Sequence, residues 1–214
     1  MTPDHFIAAD WKRFTWLDSP LGIAVDASLN ARLKRFITDR ESEPVALFDP
    51  AVRAESEAGD WYGEHAGKWL CAASQACKRT GDQELFASLS DVVKALCEWQ
   101  EEDGSLSTAS QEARCRMTHP EAGGVRTWDV WIHAWTIRGL LAAARAGVHS
   151  DLALEAAGKA SNLVAGTILE KGAGFLKLGN HQGLSAAIVV DALAEASFDL
   201  QRPDLAEAAL EVLS

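Results

Sequence analysis

The chain reads as an all-α protein made of αα-hairpin repeats that form an α/α toroid, expected as an incomplete (α/α)6 barrel. Three observations predict this. Apolar residues recur at helical spacing, and no segment shows sustained strand alternation. Helix stop and start signals come in adjacent pairs, at Gly81-Asp82, Gly147 to Asp151 and Gln201 to Asp204. A polar cluster with a histidine opens a helix three times, as Trp61-Tyr62-Gly63-Glu64-His65, Trp128-Asp129-Val130-Trp131-Ile132-His133 and Gly179-Asn180-His181-Gln182. Their irregular spacing fits hairpins joined by connections of variable length.

The elements follow in order. Residues 1–60 are expected to form an arm, a helix and a loop packed on the toroid, and residues 61–214 its three hairpins. Trp11, Phe14, Trp16 and Leu17 read as an extended arm that packs its aromatic rings on the body. Leu29, Leu33, Phe36 and Ile37 have a helical period with Asp26 as N-cap, and Glu41 to Asp60 reads as loop from Pro44, Pro50 and Gly59. In the first hairpin Ala66, Trp69, Leu70, Ala73 and Cys77 share one face and Gly81 stops the helix. Asp82 then caps a partner carrying Leu85, Leu89, Val92, Val93 and Leu96, which ends near Gln100 before the turn at Asp103-Gly104. The second hairpin runs from Trp128 to Gly147 and continues from Ser150 or Asp151 with Leu152, Ala156, Ala160, Leu163 and Val164 inward. In the third, Asn180 is a candidate N-cap, Leu184 to Ala196 is apolar on nearly every side, and Pro203 starts the last helix. Within each hairpin the first helix is the more apolar and suits an inner ring, while its charged partner suits an outer one.

Bulk properties exclude more than they identify. The 214 residues suffice for one substantial core, with 48% hydrophobic and 24% charged residues. A net charge of −11 disfavours nucleic acid and anionic membrane as partners. No stretch is long and apolar enough to span a bilayer, and the first residues lack the pattern of a secretory leader. Cys71, Cys77, Cys97 and Cys115 have neither C-x-x-C spacing nor the density of a disulfide framework, so they read as reduced cysteines of a cytoplasmic protein. P-loop, dinucleotide-binding, zincin and nucleophile-elbow motifs are absent.

The chemistry-bearing groups gather at the helix openings. Glu64 and Lys68 stand at i,i+4, which suits either a plain helix-stabilising ion pair or a site. Asp129 and His133, also i,i+4, share a face on which the carboxylate could orient the imidazole of a site, or they are simply an Asp at the favourable end of the helix dipole and a satisfied core histidine. Trp128, Trp131 and Trp135 occupy the neighbouring face. Indoles beside hydrogen-bonding groups suit a sugar, whose C–H faces stack on rings while its hydroxyls take polar partners. Asn180 and His181 add the third group, and the three openings are expected to meet at one mouth of the toroid. The expected substrate-binding residues are therefore Glu64, Trp128, Asp129, His133, Asn180 and His181, with no catalytic residue and no metal ligand assigned. His119, before Pro120 and the Gly-rich run Glu121 to Gly124, could belong to a lid or to nothing functional.

These segments resemble a known family. Trp-Leu-Asp-Ser-Pro-Leu-Gly at 16–22, Gly-Glu-His-Ala-Gly-Lys-Trp-Leu at 63–70, Gln100 to Leu106, Thr-Trp-Asp-Val-Trp-Ile-His at 127–133 and Gly-Asn-His-Gln-Gly-Leu-Ser at 179–185 look, in order, like the N-terminal part of glycoside hydrolase family 127. This β-L-arabinofuranosidase-like family is built on an (α/α)6 barrel followed by β-domains. The resemblance implies that His133 and His181 line a sugar pocket, with Glu64, Trp128 and Asp129 nearby. It also implies that zinc and a cysteine nucleophile belong to later parts of longer relatives. The four cysteines here do not match that cluster, so no cofactor is assigned to this chain.

Three functions follow as expectations. The first is a glycoside hydrolase, or its substrate-binding N-terminal portion, acting on a sugar or oligosaccharide. The second is another α/α-toroid enzyme such as a sugar epimerase or an unsaturated-uronide hydrolase. The third is a non-catalytic helical-repeat binding module. An open toroid would also expose apolar inner helices, which predicts self-association or a missing partner half.

Overall fold

The computed structural model describes residues 19–56, 60–109 and 128–213. The fold is all-α, and the described residues contain no strand beyond an isolated bridge at Gly179. The aromatic arm, Cys115 and the His119 segment lie outside the described residues.

The first helix starts earlier than Asp26. Ser19 caps it, accepting the Gly22 N–H at 3.2 Å, and Pro20 opens α1 (Pro20–Ala27) with its φ already suited to a helix. The chain stays right-handed through a π-helical stretch (Ser28–Leu33) into α2 (Lys34–Phe36). Trp69 ties this segment down by donating its indole N–H to the Leu33 carbonyl at 2.8 Å. The stretch read as loop holds two short helices, α3 (Glu43–Ala46) and α4 (Pro50–Glu55), each with its proline in the first turn. Those prolines start helices rather than break them.

Helix α5 (Glu64–Thr80) ends at Gly81, whose φ of 67° is the left-handed C-terminal stop. Asp82 then accepts the Leu85 N–H at 3.0 Å and caps α6 (Gln83–Glu98). Lys34 reaches the same carboxylate at 2.6 Å, so the cap also anchors the N-terminal helix. Helix α7 (Asp129–Arg145) stops before Gly147, and α8 (Ser150–Lys171) follows from His149. Short helical turns at Gly172–Leu178 and His181–Gly183 lead into α9 (Leu184–Ala187) and α10 (Val189–Asp199). The final α11 (Pro203–Glu211) begins at its proline.

Helices α5, α7 and α10 lie side by side, with α6, α8 and α11 behind them. Leu70, Leu89, Leu96, Ile137, Leu140, Val164, Ile168 and Leu193 fill the space between the layers and are inaccessible to solvent. Helices α5 and α7 cross with backbone almost touching. A Cβ on Gly67 would lie 2.4 Å from the Trp135 carbonyl carbon and oxygen, and one on Gly139 would lie 2.9 Å from the Gly67 oxygen. Two glycines at the crossing are what allow this approach. The Leu184 to Ala196 segment is less enclosed than its sequence implied, since Leu184 is exposed and Ile188 and Val190 are only half-buried. No helix among the described residues is long and apolar enough to cross a membrane.

Candidate functional site

The second opening divides into two faces with different work. On one, Asp129 and His133 are completely buried. The His133 Nδ1–H donates to the Asp129 backbone carbonyl at 2.9 Å, and Nε2 accepts the Leu106 N–H at 3.1 Å. Both ring nitrogens are thus engaged and the tautomer is set by backbone groups. The Asp129 carboxylate lies 3.5 Å from Nδ1 and accepts the Ser107 hydroxyl. The pair therefore pins the Ser105–Ala109 stretch, which is buried throughout. Neither side chain reaches the surface.

Sequence reasoning missed the rest of that anchor. Arg53 donates to the Ser107 carbonyl at 2.6 Å and pairs with Glu101 at 3.0 Å. Gln100 donates its side-chain amide to the carbonyls of Gly104 and Ala156. Gly104 has a φ of 91° and passes within 2.5 Å, measured from an added Cβ, of the Lys159 carbonyl oxygen. The stretch from Gly104 to Ala109, small residues around a single Leu106, was the available signal for a buried loop.

The other face carries Trp128, Trp131 and Trp135, and here the three openings meet. Trp128 and Trp131 pack edge to face with centroids 6.0 Å apart, and Trp131 meets Trp135 at 6.1 Å. Across the helix crossing, Glu64 accepts the Trp131 indole N–H and pairs with Lys68 at 3.0 Å. The Lys68 ammonium lies over both Trp131 and Trp135, at 5.1 and 5.2 Å from their centroids. On the far side His181 stacks at a tilt on Trp128, with centroids 5.2 Å apart. Glu64, Trp131, Trp128 and His181 therefore form one continuous chain of contacts from three different helix openings.

His181 is exposed and sits on an unusual backbone. His181, Gln182 and Gly183 have consecutive φ values of 51°, 58° and 93°. Left-handed non-glycine residues cost roughly 1–2 kcal/mol each and persist only where surroundings enforce them. The enforcement is visible: a Cβ on Gly179 would meet Ala186 N at 2.6 Å, and one on Gly183 would meet the Leu176 oxygen at 2.9 Å. Asn180 acts through its backbone. Its carbonyl accepts from the Gly183 and Ser185 N–H groups and the Ser185 hydroxyl, while its side chain makes no capping bond. The side-chain N-cap expected there is thus replaced by a carbonyl that closes the left-handed turn.

The third histidine near an opening, His65, belongs to a separate cluster. It meets Phe36, Trp61 and Tyr62 edge-on, at centroid distances of 5.7, 5.6 and 5.1 Å. Burial lowers its pKa below the usual histidine value, against the pull of Glu64 and with the help of Lys68 and Arg32.

Further along the inner face the charges are paired. Arg138, over the Trp135 ring at 5.1 Å, bonds Glu195 at 2.8 Å, and Arg145 bonds Glu195 and Asp199 at 2.9 and 2.7 Å. Among the described residues, no three His, Cys, Asp or Glu side chains converge as metal ligands. Burial raises the thiols of Cys71, Cys77 and Cys97 to about 11, so they stay protonated near neutrality.

The two-layered helical scaffold, with a ridge of indoles and hydrogen-bonding groups at its inner-helix openings, defines an all-α protein of the α/α-toroid class. The family model of the β-L-arabinofuranosidase GH127 catalytic domain matches residues 12–189, and the chain belongs to that glycoside hydrolase family. No curated protein and no solved structure matches the chain.

Proposed function

We propose that this chain supplies the sugar-binding wall of a β-L-arabinofuranosidase-like glycoside hydrolase that acts on neutral sugars or oligosaccharides. The observation that carries this reading is the exposed His181 held on a left-handed turn against Trp128. A strained backbone that presents an imidazole beside an indole is expensive to keep without a ligand role. Trp128 offers a face for sugar C–H groups, and His181 a partner for a hydroxyl.

Among the described residues, local charge favours a neutral substrate. Lys68 is balanced by Glu64, Arg138 by Glu195, and Arg145 by Glu195 and Asp199. An unsaturated uronide would need an uncompensated cation to meet its carboxylate, and these ion pairs do not offer one. Asp129, His133 and Asn180 support the wall from behind. Asp129 and His133 hold the buried loop beneath α7, and Asn180 closes the turn that carries His181.

The reading assigns binding and orientation to this chain and no bond-breaking step. A panel of neutral and anionic aryl glycosides and free sugars, followed by turnover and calorimetry, tests it. Binding of neutral arabinofuranosides in preference to glucuronides is the expected outcome. Absence of any sugar binding, or a preference for uronides, would sink it.

A further inference from the structure

We infer that Glu64 and Lys68 are positioning residues for the Trp131 indole, and through it for the sugar-binding ridge. The inference rests on the sugar-wall reading above and adds residues whose role lies outside direct contact with a ligand. As an i,i+4 pair within one helix, Glu64 and Lys68 could merely stabilise α5. The geometry gives them another task, because both reach across to α7.

Glu64 is well enclosed, with a side-chain exposure of 13% against 37% for Lys68. One of its carboxylate oxygens accepts the Trp131 Nε1–H and the other meets the Lys68 ammonium at 3.0 Å. That ammonium in turn lies over the Trp131 and Trp135 rings. The indole is thus held at its N–H by a carboxylate and at its ring by a cation. Each member of the trio satisfies the other two, so the Lys68 charge is compensated and Trp131 has one preferred orientation. Trp131 then packs edge to face on Trp128, the ring that carries His181. Release of Trp131 therefore propagates to the ligand-facing pair in a single step.

The Gly67–Gly139 crossing makes this possible by bringing the α5 and α7 backbones close enough for a short carboxylate to reach the indole. By contrast, Glu155 and Lys159 form an i,i+4 pair at 2.6 Å on α8, with both side chains more than half exposed. That pair serves as the control for an ordinary surface ion pair.

The experiment uses the full chain with 15N-labelled tryptophan and compares wild type, Glu64→Gln, Glu64→Ala, Lys68→Met and Glu155→Ala. The Trp131 indole signal is identified by its loss in Trp131→Phe. In Glu64→Ala that signal is expected to shift upfield and exchange faster with water. Glu64→Gln, which keeps an acceptor, should restore it in large part, and Glu155→Ala should leave it unchanged. Titration with methyl β-L-arabinofuranoside should show affinity about tenfold weaker in Glu64→Ala, the scale of a lost charge-assisted hydrogen bond. An indole signal indifferent to Glu64→Ala overturns the proposal. A responsive indole with undiminished affinity overturns the positioning role while leaving the sugar wall intact. Wild-type chain that binds no sugar overturns the sugar wall itself, and the positioning role with it.

Discussion

Gly67→Ala is the sharpest perturbation of the scaffold that brings the helix openings together. The new Cβ would stand 2.4 Å from the carbonyl of Trp135, where ordinary contact begins near 3.4 Å. The obstacle is backbone, so no rotamer change relieves it, and α5 and α7 must part by about 1 Å. Overpacking of this kind costs roughly 1–3 kcal/mol, and a backbone obstacle belongs at the upper end. Alanine recovers about 1 kcal/mol of helix propensity, leaving a net loss of about 2 kcal/mol. For a chain of this length that lowers the melting temperature by roughly 4–8 °C. The matched control is Gly166→Ala, an exposed position in α8 where a Cβ meets nothing within 4 Å. It should gain about 0.5–1 kcal/mol. Thermal unfolding followed by circular dichroism at 222 nm reads both. If Gly67→Ala melts at or above the wild-type temperature, the close crossing does not exist as described.

Three further outcomes follow from the structure. His133→Ala removes a buried ring and orphans the Leu106 N–H, so it should cost about 3 kcal/mol in urea unfolding, whereas exposed His181→Ala should stay within about 0.5 kcal/mol. Equal losses at the two positions would contradict their assigned roles. Because burial lowers the folded-state pKa of His65, the unfolded chain binds the proton more readily. The contribution of His65 to stability is therefore full above about pH 6.5 and lost as pH falls through its depressed folded value; His65→Phe should flatten that slope in unfolding experiments from pH 7.5 to 5. Phe198, Leu210 and Leu213 expose most of their surface on the third hairpin, which predicts concentration-dependent association. Sedimentation velocity should show it weakened by Phe198→Glu, and a monomer at all concentrations would refute it.

Signals that act within a few residues were legible in the sequence. Gly81, Asp82, Gly147 and Pro203 stand at helix ends because left-handed glycine, the capping carboxylate and the preset proline φ are local effects. Ser19-Pro20 is an equally local start signal, and the apolar period that begins after Asp26 does not reveal it. Pro44 and Pro50 suit a loop as well as a helix start, because proline alone does not say on which side of it a helix lies.

The candidate site was legible only as a set of residue types. That Trp128 and His181 belong together followed from their matching places in repeated units. That His133 faces inward, toward Leu106, depends on a loop many residues away. The Glu64–Trp131 contact depends on the Gly67–Gly139 crossing, a pairing between helices that no local pattern announces. Likewise Lys68, Trp135, Arg138 and Glu195 became one surface only when α5, α7 and α10 were set side by side.

The central claim is that Trp128 and His181 form a sugar-binding surface at the openings of the inner helices. Its most direct test is calorimetric titration of the full chain with methyl β-L-arabinofuranoside, set beside Trp128→Ala and His181→Ala variants whose circular dichroism matches wild type. The account predicts saturable binding by wild type and its loss, by tenfold or more, in both variants. Unaltered binding in the two folded variants, or none in wild type, would contradict it.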